Sequence, residues 1–369
     1  MSANRFSLQL AEKHNGAQRW GYRGVHCGQV SARGRPPNTT TTNQDPNQDP
    51  SSHPLPKRSK DALALLRRAG VPEDLDWVVP EQVDAYSSMG DPSTTAQVHP
   101  YQFTKAMAEL SEEKGVRILV GASVTKILEE GGRVKGVSYV QKLKEGADNN
   151  KGEEEGNNEE EEAEEEGEEE EKVLEADTII LSAGPWTPKV YPPIPITAMR
   201  AHSIVIRPSR PVSAYALFTE ISIPSSNPSK RRSTKTATPE IYARPNNEVY
   251  ACGEADTLIP LPPSTPLVQT SDSKCADIFT QVSSISSELA NGEVLAKQAC
   301  YLPNVRGGGG GGGPIIGNVE GVKGLVVAAG HTCWGIQNAP GTGCVVAELV
   351  MEGKVKSARI GELEPGRFF

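Results

Sequence analysis

Apolar and polar positions change period several times along the chain, and each change predicts an element. A short helix over Arg5–His14 opens the sequence. Behind Pro100, the residues Phe103, Ala106, Met107 and Leu110 recur at i, i+3, i+4 and i+7. This is one helix face, with proline in the first turn and Gly115 as the stop. Val116–Val120, Val124–Leu128 and Val134–Val140 read as strands, the last two joined through Glu-Glu-Gly-Gly-Arg, a hairpin turn. Ala176–Leu181 is a short apolar strand ending at Ser182-Ala183-Gly184. Between 190 and 305, β-type runs (Ala201–Ile206, Ile241–Ala243, Val249–Ala251) alternate with proline-bearing turns before a helical stretch near 271–290. That pattern predicts an antiparallel sheet with attached helices. Last come a buried-type strand over Gly324–Gly330 and a loop over His331–Pro340. A helix then opens at Gly341-Thr342-Gly343, with Val345, Val346, Leu349 and Val350 on one face and Gly353 at its end.

Three stretches carry no core pattern. Residues 35–60 are rich in Pro, Asn, Gln and Thr, 144–172 form a Glu run, and 224–239 are basic and Ser/Thr-rich. All three are expected as solvated loops. The run at 153–171 holds 14 Glu; without it the formal charge of −9 becomes 38 Lys and Arg against 33 Asp and Glu. The acidity is therefore local, and the remainder is not basic enough to indicate a nucleic-acid partner. At 369 residues the chain admits two domains. It has no run of 18 apolar residues for a transmembrane helix and no apolar signal region at its start. Its six cysteines show no C-x-x-C pair, and Arg367-Phe368-Phe369 is no lipidation or peroxisomal address. A cytoplasmic protein is the expectation.

Residues 330–343, GHTCWGIQNAPGTG, join a strand to a helix through glycines. Such a junction brings backbone N–H groups toward an anionic or electron-rich ligand, or else is a tight turn needing positive φ. Neither a Ser/His/Asp arrangement nor H-E-x-x-H spacing occurs, so hydrolase and metal readings have no footing.

The stretch 314–354, PIIGNVEGVKGLVVAAGHTCWGIQNAPGTGCVVAELVMEGK, resembles the C-terminal flavin segment of the D-amino-acid-oxidase-like (DAO) family of FAD-dependent oxidoreductases. VHPYQFTKAMAELSEEKGVRILVGASVTKI (98–127) and ADTIILSAGPWTPKV (176–190) are similar to two further family segments, in the same order. Trp20–Arg23 with its following polar loop points to a fungal-type branch. The resemblance implies an α/β (α+β) protein: a Rossmann-like FAD domain, discontinuous in sequence, with an antiparallel β substrate domain. The implied division is as follows. Residues 1–34 hold an FAD-domain helix and the first substrate-domain strand, and 35–60 a disordered loop. Substrate-domain parts follow at 61–95 and at 191–306, the latter with its basic loop at 224–239. FAD-domain parts lie at 96–143 and 173–190, around the acidic insert at 144–172. The poly-Gly loop and C-terminal FAD segment occupy 307–369.

By the same resemblance, Val124 presents its backbone to the adenine, and Ser182, Ala183, Gly184 and Trp186 line the cofactor. Gly330, His331, Gly335, Ile336, Gly341, Thr342 and Gly343 surround the isoalloxazine, with the last helix's N-terminus toward the flavin's pyrimidine edge. Cys300 lies where some relatives attach flavin covalently; a small buried thiol is the plainer reading of it. The family oxidises C–N bonds of amino acids or amines next to a carboxylate. The substrate-side candidates for a carboxylate are Arg200, His202, Tyr242 and Arg244. One departure is large: the family's opening strand, G-x-G-x-x-G loop and helix have no counterpart, and the glycines at 307–313 lack a preceding strand. The expectation is an FAD domain incomplete at its N-terminus, from a truncated sequence. The rival reading is a non-catalytic interaction protein that has lost the pyrophosphate site and recruits partners through its acidic and basic loops.

Overall fold

The computed structural model describes residues 3–35, 59–141, 171–224, 234–306 and 313–369. Of the loops expected at 35–60, 144–172 and 224–239, residues 36–58, 144–170 and 225–233 lie outside the described residues, as do the glycines 307–312, whereas Lys60 opens a helix and Glu171 and Lys172 open a strand. In chain order the helices are α1 (Ala3–His14), α2 (Gly16–Trp20), α3 (Lys60–Arg68), α4 (Pro100–Glu112), α5 (Thr187–Val190), α6 (Asp272–Ser283), α7 (Ser287–Ala290) and α8 (Gly335–Glu352). The first eight strands are β1 (Arg23–Gly24), β2 (His26–Arg33), β3 (Val83–Gly90), β4 (Ala96–Gln97), β5 (Ala122–Glu130), β6 (Arg133–Gln141), β7 (Glu171–Glu175) and β8 (Ile179–Leu181). The remainder are β9 (Ile196–Arg207), β10 (Tyr215–Pro224), β11 (Thr234–Ala237), β12 (Glu240–Arg244), β13 (Glu248–Asp256), β14 (Glu293–Val305), β15 (Ile315–Asn318) and β16 (Leu325–Ala329).

Two compact units result. Unit 1 takes residues 1–109, 198–303 and 333–341; unit 2 takes 110–197, 304–332 and 342–369. Thus α4, expected with the cofactor part, belongs to unit 1 as far as Glu109, and the start of α8 belongs there too.

Unit 1 is organised by a sheet of order β14-β9-β13-β12-β10-β2-β3, with β11 also paired to β10. The β10–β2 pair is parallel, and its neighbours β10–β12, β12–β13, β13–β9 and β2–β3 are antiparallel. Because successive strand residues point to opposite faces, the alternation decides the core. Tyr215, Leu217, Ile221, Ile241, Ala243, Val249, Ala251, Ile204 and Ile206 turn one way, against Trp77, Leu75, Leu66, Ile278, Val282 and Leu289. Helix α6 lies on this face, started by Ser271, whose side chain accepts from the Lys274 N–H. The loop between β12 and β13 sets Asn246 and Asn247 at φ 65° and 57°. Asparagine tolerates that left-handed region, and the loop fixes Arg244 opposite Glu248.

Unit 2 holds an antiparallel sheet β5-β6-β7 and a second sheet β15-β16-β8, in which β16 and β8 run parallel. Gly131 and Gly132, at φ 58° and 70°, make the tight turn between β5 and β6 that the sequence indicates. Ile127, Val134, Leu181, Ile194, Ile315, Leu325 and Val327 form its core, and Val345 and Val346 of α8 pack with Ile316 and Val326.

Four expectations need correction. Val116–Val120 is not a strand: these residues pair with no described neighbour, and Val116, Ile118 and Val120 remain exposed. An apolar alternation without a partner edge makes no ladder. Strand β8 starts at Ile179, not Ala176. Residues 234–237, inside the expected basic loop, form β11 against β10. Helix α8 begins at Gly335, six residues before the expected start, and carries Pro340 within it. There proline removes the N–H that would otherwise bond the Ile336 carbonyl, one hydrogen bond of the second turn.

Candidate functional site

The face of the unit 1 sheet opposite the core carries polar chemistry. On β12 the alternation that buries Ile241 and Ala243 turns Glu240, Tyr242 and Arg244 outward, all half-buried. On β13 it turns Glu248, Tyr250 and Cys252 the same way, directly across from them. Glu240 stands opposite Cys252, Tyr242 opposite Tyr250, and Arg244 opposite Glu248. The flanking strand β10 contributes Phe218 beside Glu240 and the small Ala216 beside Tyr242.

Contacts fix this patch. The Tyr242 hydroxyl donates to Glu240 Oε2, and the same oxygen lies 3.9 Å from the Cys252 thiol, which donates to it. The Phe218 ring meets the Tyr242 ring edge-on at 6.4 Å, and Tyr250 leans on its other side at 6.1 Å. The Arg244 guanidinium lies over the Tyr250 ring, 4.3 Å from its centre. Burial, then the hydrogen bond to Glu240 and its charge, raise the Tyr242 phenol far above the ordinary tyrosine value, so it stays protonated. Cys252 is pushed up to about 12 by burial and by Glu240, which leaves it a thiol. Burial draws the Arg244 pKa down, while Tyr250 and Glu248 oppose the shift. A guanidinium remains charged regardless. Cys300 on β14 is reachable by solvent, and burial of its surroundings raises its thiol pKa.

The four substrate-side candidates are thus divided by the sheet. Tyr242 and Arg244 share the open face, whereas Arg200 and His202 lie on the face under α6, at 5 % and 1 % exposure. A β-bulge in β13 between Cys252 and Ala255 sets Asp256 opposite Arg200. There the Arg200 guanidinium reaches both Asp256 oxygens at 3.4 Å and donates to the Gln269 carbonyl at 3.1 Å. The His202 Nε2 accepts from the Ser271 N–H at 3.1 Å, leaving the Nδ1 proton facing Asp256 Oδ2 at 3.9 Å. Burial disfavours the Asp256 carboxylate, but the Leu258 N–H and Arg200 outweigh it and hold its pKa below the usual range. Burial, reinforced by Arg200, likewise holds His202 below the usual histidine value.

That depression has a sign. A histidine neutral in the fold but free to protonate when unfolded contributes stability above its unfolded pKa of about 6.5, lost as pH falls toward its folded value. Thermal unfolding should therefore move to lower temperature between pH 7 and 5. His202→Gln, whose amide oxygen can still accept from Ser271, should flatten part of that slope. His99 and His331, also lowered by burial, keep the rest. An unchanged slope in the variant would contradict this assignment.

In unit 2, Ser182, Ala183, Gly184 and Trp186 follow β8, with Gly184 at φ 53° and the Thr187 hydroxyl donating to its carbonyl at 2.7 Å. Gly330, at φ 83°, ends β16. His331 Nε2 and Thr342 Oγ1 of α8 are hydrogen-bonded at 3.0 Å. Val124 is exposed on β5, next to an irregularity in its pairing with β6. No heavy atom lies within 4 Å of where a Cβ would stand at Gly184 or Gly343. The open space beside the backbone at these two points leaves room for a flat ring system such as the flavin part of FAD. For the pyrophosphate part, no strand, G-x-G-x-x-G loop and helix occurs among the described residues. In unit 1, Gly335, Ile336 and Gly341 lie in the first turns of α8, with Ile336 exposed.

Glu240, Tyr250 and Cys252 did not stand out in the sequence. Their signal was the alternation of EIYARPNNEVYAC, in which every second residue is polar or aromatic on each side of Pro-Asn-Asn. No helix among the described residues is long and apolar enough to cross a membrane, and none of their His, Cys, Asp and Glu residues cluster as a metal site.

The comparisons with known proteins agree with one another. A Saccharomyces cerevisiae protein provisionally named as an oxidoreductase, TDA3, is 38 % identical over 303 residues, 81 % of this chain. The chain spans only 56 % of that relative's length. A Schizosaccharomyces pombe protein, provisionally named oxidoreductase C1F5.03c, is 31 % identical over 97 % of this chain and 78 % of its own. Among solved structures, L-proline dehydrogenase from P. horikoshii superposes with TM-score 0.61 at 16 % identity, over 99 % of this chain and 82 % of that one. Glycine oxidase from Bacillus cereus does so with TM-score 0.59 at 13 % identity, over 96 % and 82 %. These two likenesses establish a shared fold. Residues 53–349 match the DAO family, described as FAD dependent oxidoreductase, and the chain belongs to that family.

Proposed function

We propose that this protein oxidises the C–N bond of an α-amino acid or a secondary amine bearing a carboxylate. The observation that carries the reading is Arg244, a half-buried cation over the Tyr250 ring, in a patch that otherwise offers Tyr242, Glu240, Glu248 and the Cys252 thiol. A planar guanidinium with five donors recognises a carboxylate in a fixed orientation. Solved relatives named for L-proline, glycine and iminodiacetate support the class, since each of those molecules carries nitrogen one carbon from a carboxylate.

In this reading Arg244 binds and orients the carboxylate, and Phe218, Tyr250 and Tyr242 wall the substrate from water. Val124, Ser182–Gly184, Trp186, Gly330, His331, Gly335, Ile336 and Gly341–Gly343 hold the cofactor. FAD, when bound, supplies the hydride acceptor. His331, kept neutral by burial, contributes a hydrogen bond rather than a positive charge. Arg200 and His202 serve the fold, not the substrate. Cys300 is retained as a candidate for flavin attachment.

The test is product chemistry. The chain supplied with FAD, oxygen and a panel of amino acids and N-methyl amino acids should release an oxo acid and ammonia or an amine in equal amounts. Turnover of the matching 2-hydroxy acids instead, with no nitrogen released, would overturn the reading.

A further inference from the structure

A tyrosine hydroxyl has one proton and two lone pairs, and the direction of that proton decides what the residue can recognise. In the open face the proton of Tyr242 is given to Glu240 Oε2. Phe218 and Tyr250 brace the ring from two sides, so the hydroxyl cannot swing far from this partner. Glu240 is further held by the Cys252 thiol, which donates to the same oxygen. What Tyr242 presents outward is therefore its lone pairs. Toward a ligand it is an acceptor, and a carboxylate, which only accepts, is no match for it.

We propose that Glu240 is the specificity-determining residue of this face: by holding the Tyr242 proton it makes Tyr242 an acceptor that selects a protonated, N–H-bearing nitrogen, while Arg244 takes the carboxylate. The inference rests on the substrate reading above and extends it to the polarity of recognition. On β12 the three residues alternate at i, i+2 and i+4, which lays anion, acceptor and cation in a row along one strand. An α-amino carboxylate is a zwitterion of the complementary order, its ammonium toward Tyr242 and Glu240 and its carboxylate toward Arg244. The other polar groups on the patch do not upset this order. Cys252 is a neutral thiol, Tyr250 is held protonated by burial, and Glu248, opposite Arg244 and 3.8 Å from His99 Nε2, supports the Arg244 charge. Ether acids, which offer only oxygen lone pairs where the amine offers N–H, meet lone pair against lone pair and are rejected.

The test uses pairs that differ only in that atom: N-methylglycine against methoxyacetate, and proline against tetrahydrofuran-2-carboxylate. Dissociation constants are measured anaerobically by calorimetry on the protein loaded with reduced FAD, which accepts no hydride from these ligands, and on its Glu240→Leu and Tyr242→Phe variants loaded in the same way. The wild type should favour the nitrogen ligand of each pair by about ten- to a hundredfold, the range of one hydrogen bond to a charged group. In Glu240→Leu the freed phenol can donate outward, so the ether ligands should gain as the amines lose and the ratio should fall to within about threefold. General damage to the face would weaken both members of a pair and leave their ratio intact. Tyr242→Phe keeps the Glu240 charge but removes the acceptor, and should narrow the ratio as well. Equal binding of each pair by the wild type, or a ratio that survives either substitution, overturns the inference while leaving the substrate reading standing. If no ligand of either pair binds, the two fall together.

Discussion

Replacing Arg200 with methionine should lower the unfolding free energy by about 3–5 kcal/mol, the cost of leaving one member of a buried ion pair alone. Asp256 would keep the Leu258 N–H but lose the guanidinium that spans its two oxygens, in side-chain surroundings only 8 % exposed. Out of a total of about 5–15 kcal/mol for an ordinary domain, that is a large fraction. The measurement is urea unfolding of the variant beside the wild type. The double change Arg200→Met with Asp256→Leu should recover most of the loss, because two apolar groups of similar volume need no partner. A single variant as stable as the wild type would mean that Arg200 is not the partner of a buried charge. Retained ligand binding in a stable fraction of the variant is expected as well, since Arg200 sits on the face away from Arg244.

Arg244→Leu should do the reverse: little to the fold, much to recognition. Its loss removes the only cation among the open-face residues contributed by β12 and β13. Truncating one side of a buried charged pair costs about 2–5 kcal/mol, so affinity for N-methylglycine should fall by about a hundredfold or more. Dimethylamine, the same molecule without its carboxylate, should bind the variant and the wild type within about threefold. Lysine at 244 should rescue only part of the loss, having no planar fork to orient two oxygens or to lie over Tyr250. Equal losses for N-methylglycine and dimethylamine would assign Arg244 to the packing of Tyr250, not to a carboxylate.

The sequence told most where local rules act without help. Pro100 and the Phe103/Ala106 stripe defined α4, Gly131-Gly132 defined its hairpin, and the valine-rich run from Leu325 defined β16. It misled where an element depends on something outside itself. Val116–Val120 has the alternation of a strand, but a strand exists only beside another edge. The sequence puts the start of α8 at Gly341, behind a loop that ends in Pro340, yet five helical residues precede that proline. The candidate site shows the same division. Tyr242 and Arg244 were legible as residue types suited to a carboxylate, and the period of β12 puts them on one face. Arg200 and His202 were chemically as plausible, and only the register with β13 and the covering helix α6 turn them inward. No pattern in β13 alone announces the bulge that brings Asp256 to Arg200. Glu240 is not legible in the sequence, because a glutamate on a short strand has the pattern of a solvated side chain until its partner is known to be a tyrosine hydroxyl.

One spectrum tests amine oxidation by this protein most directly. The chain, incubated with excess FAD, desalted and made anaerobic, is followed in the visible range as N-methylglycine, proline and a panel of other α-amino acids are added in turn. Retained flavin absorption that bleaches with at least one amino acid, and does not bleach with the corresponding hydroxy acid, is the predicted result. Flavin that is retained and that no amine or amino acid reduces would contradict it.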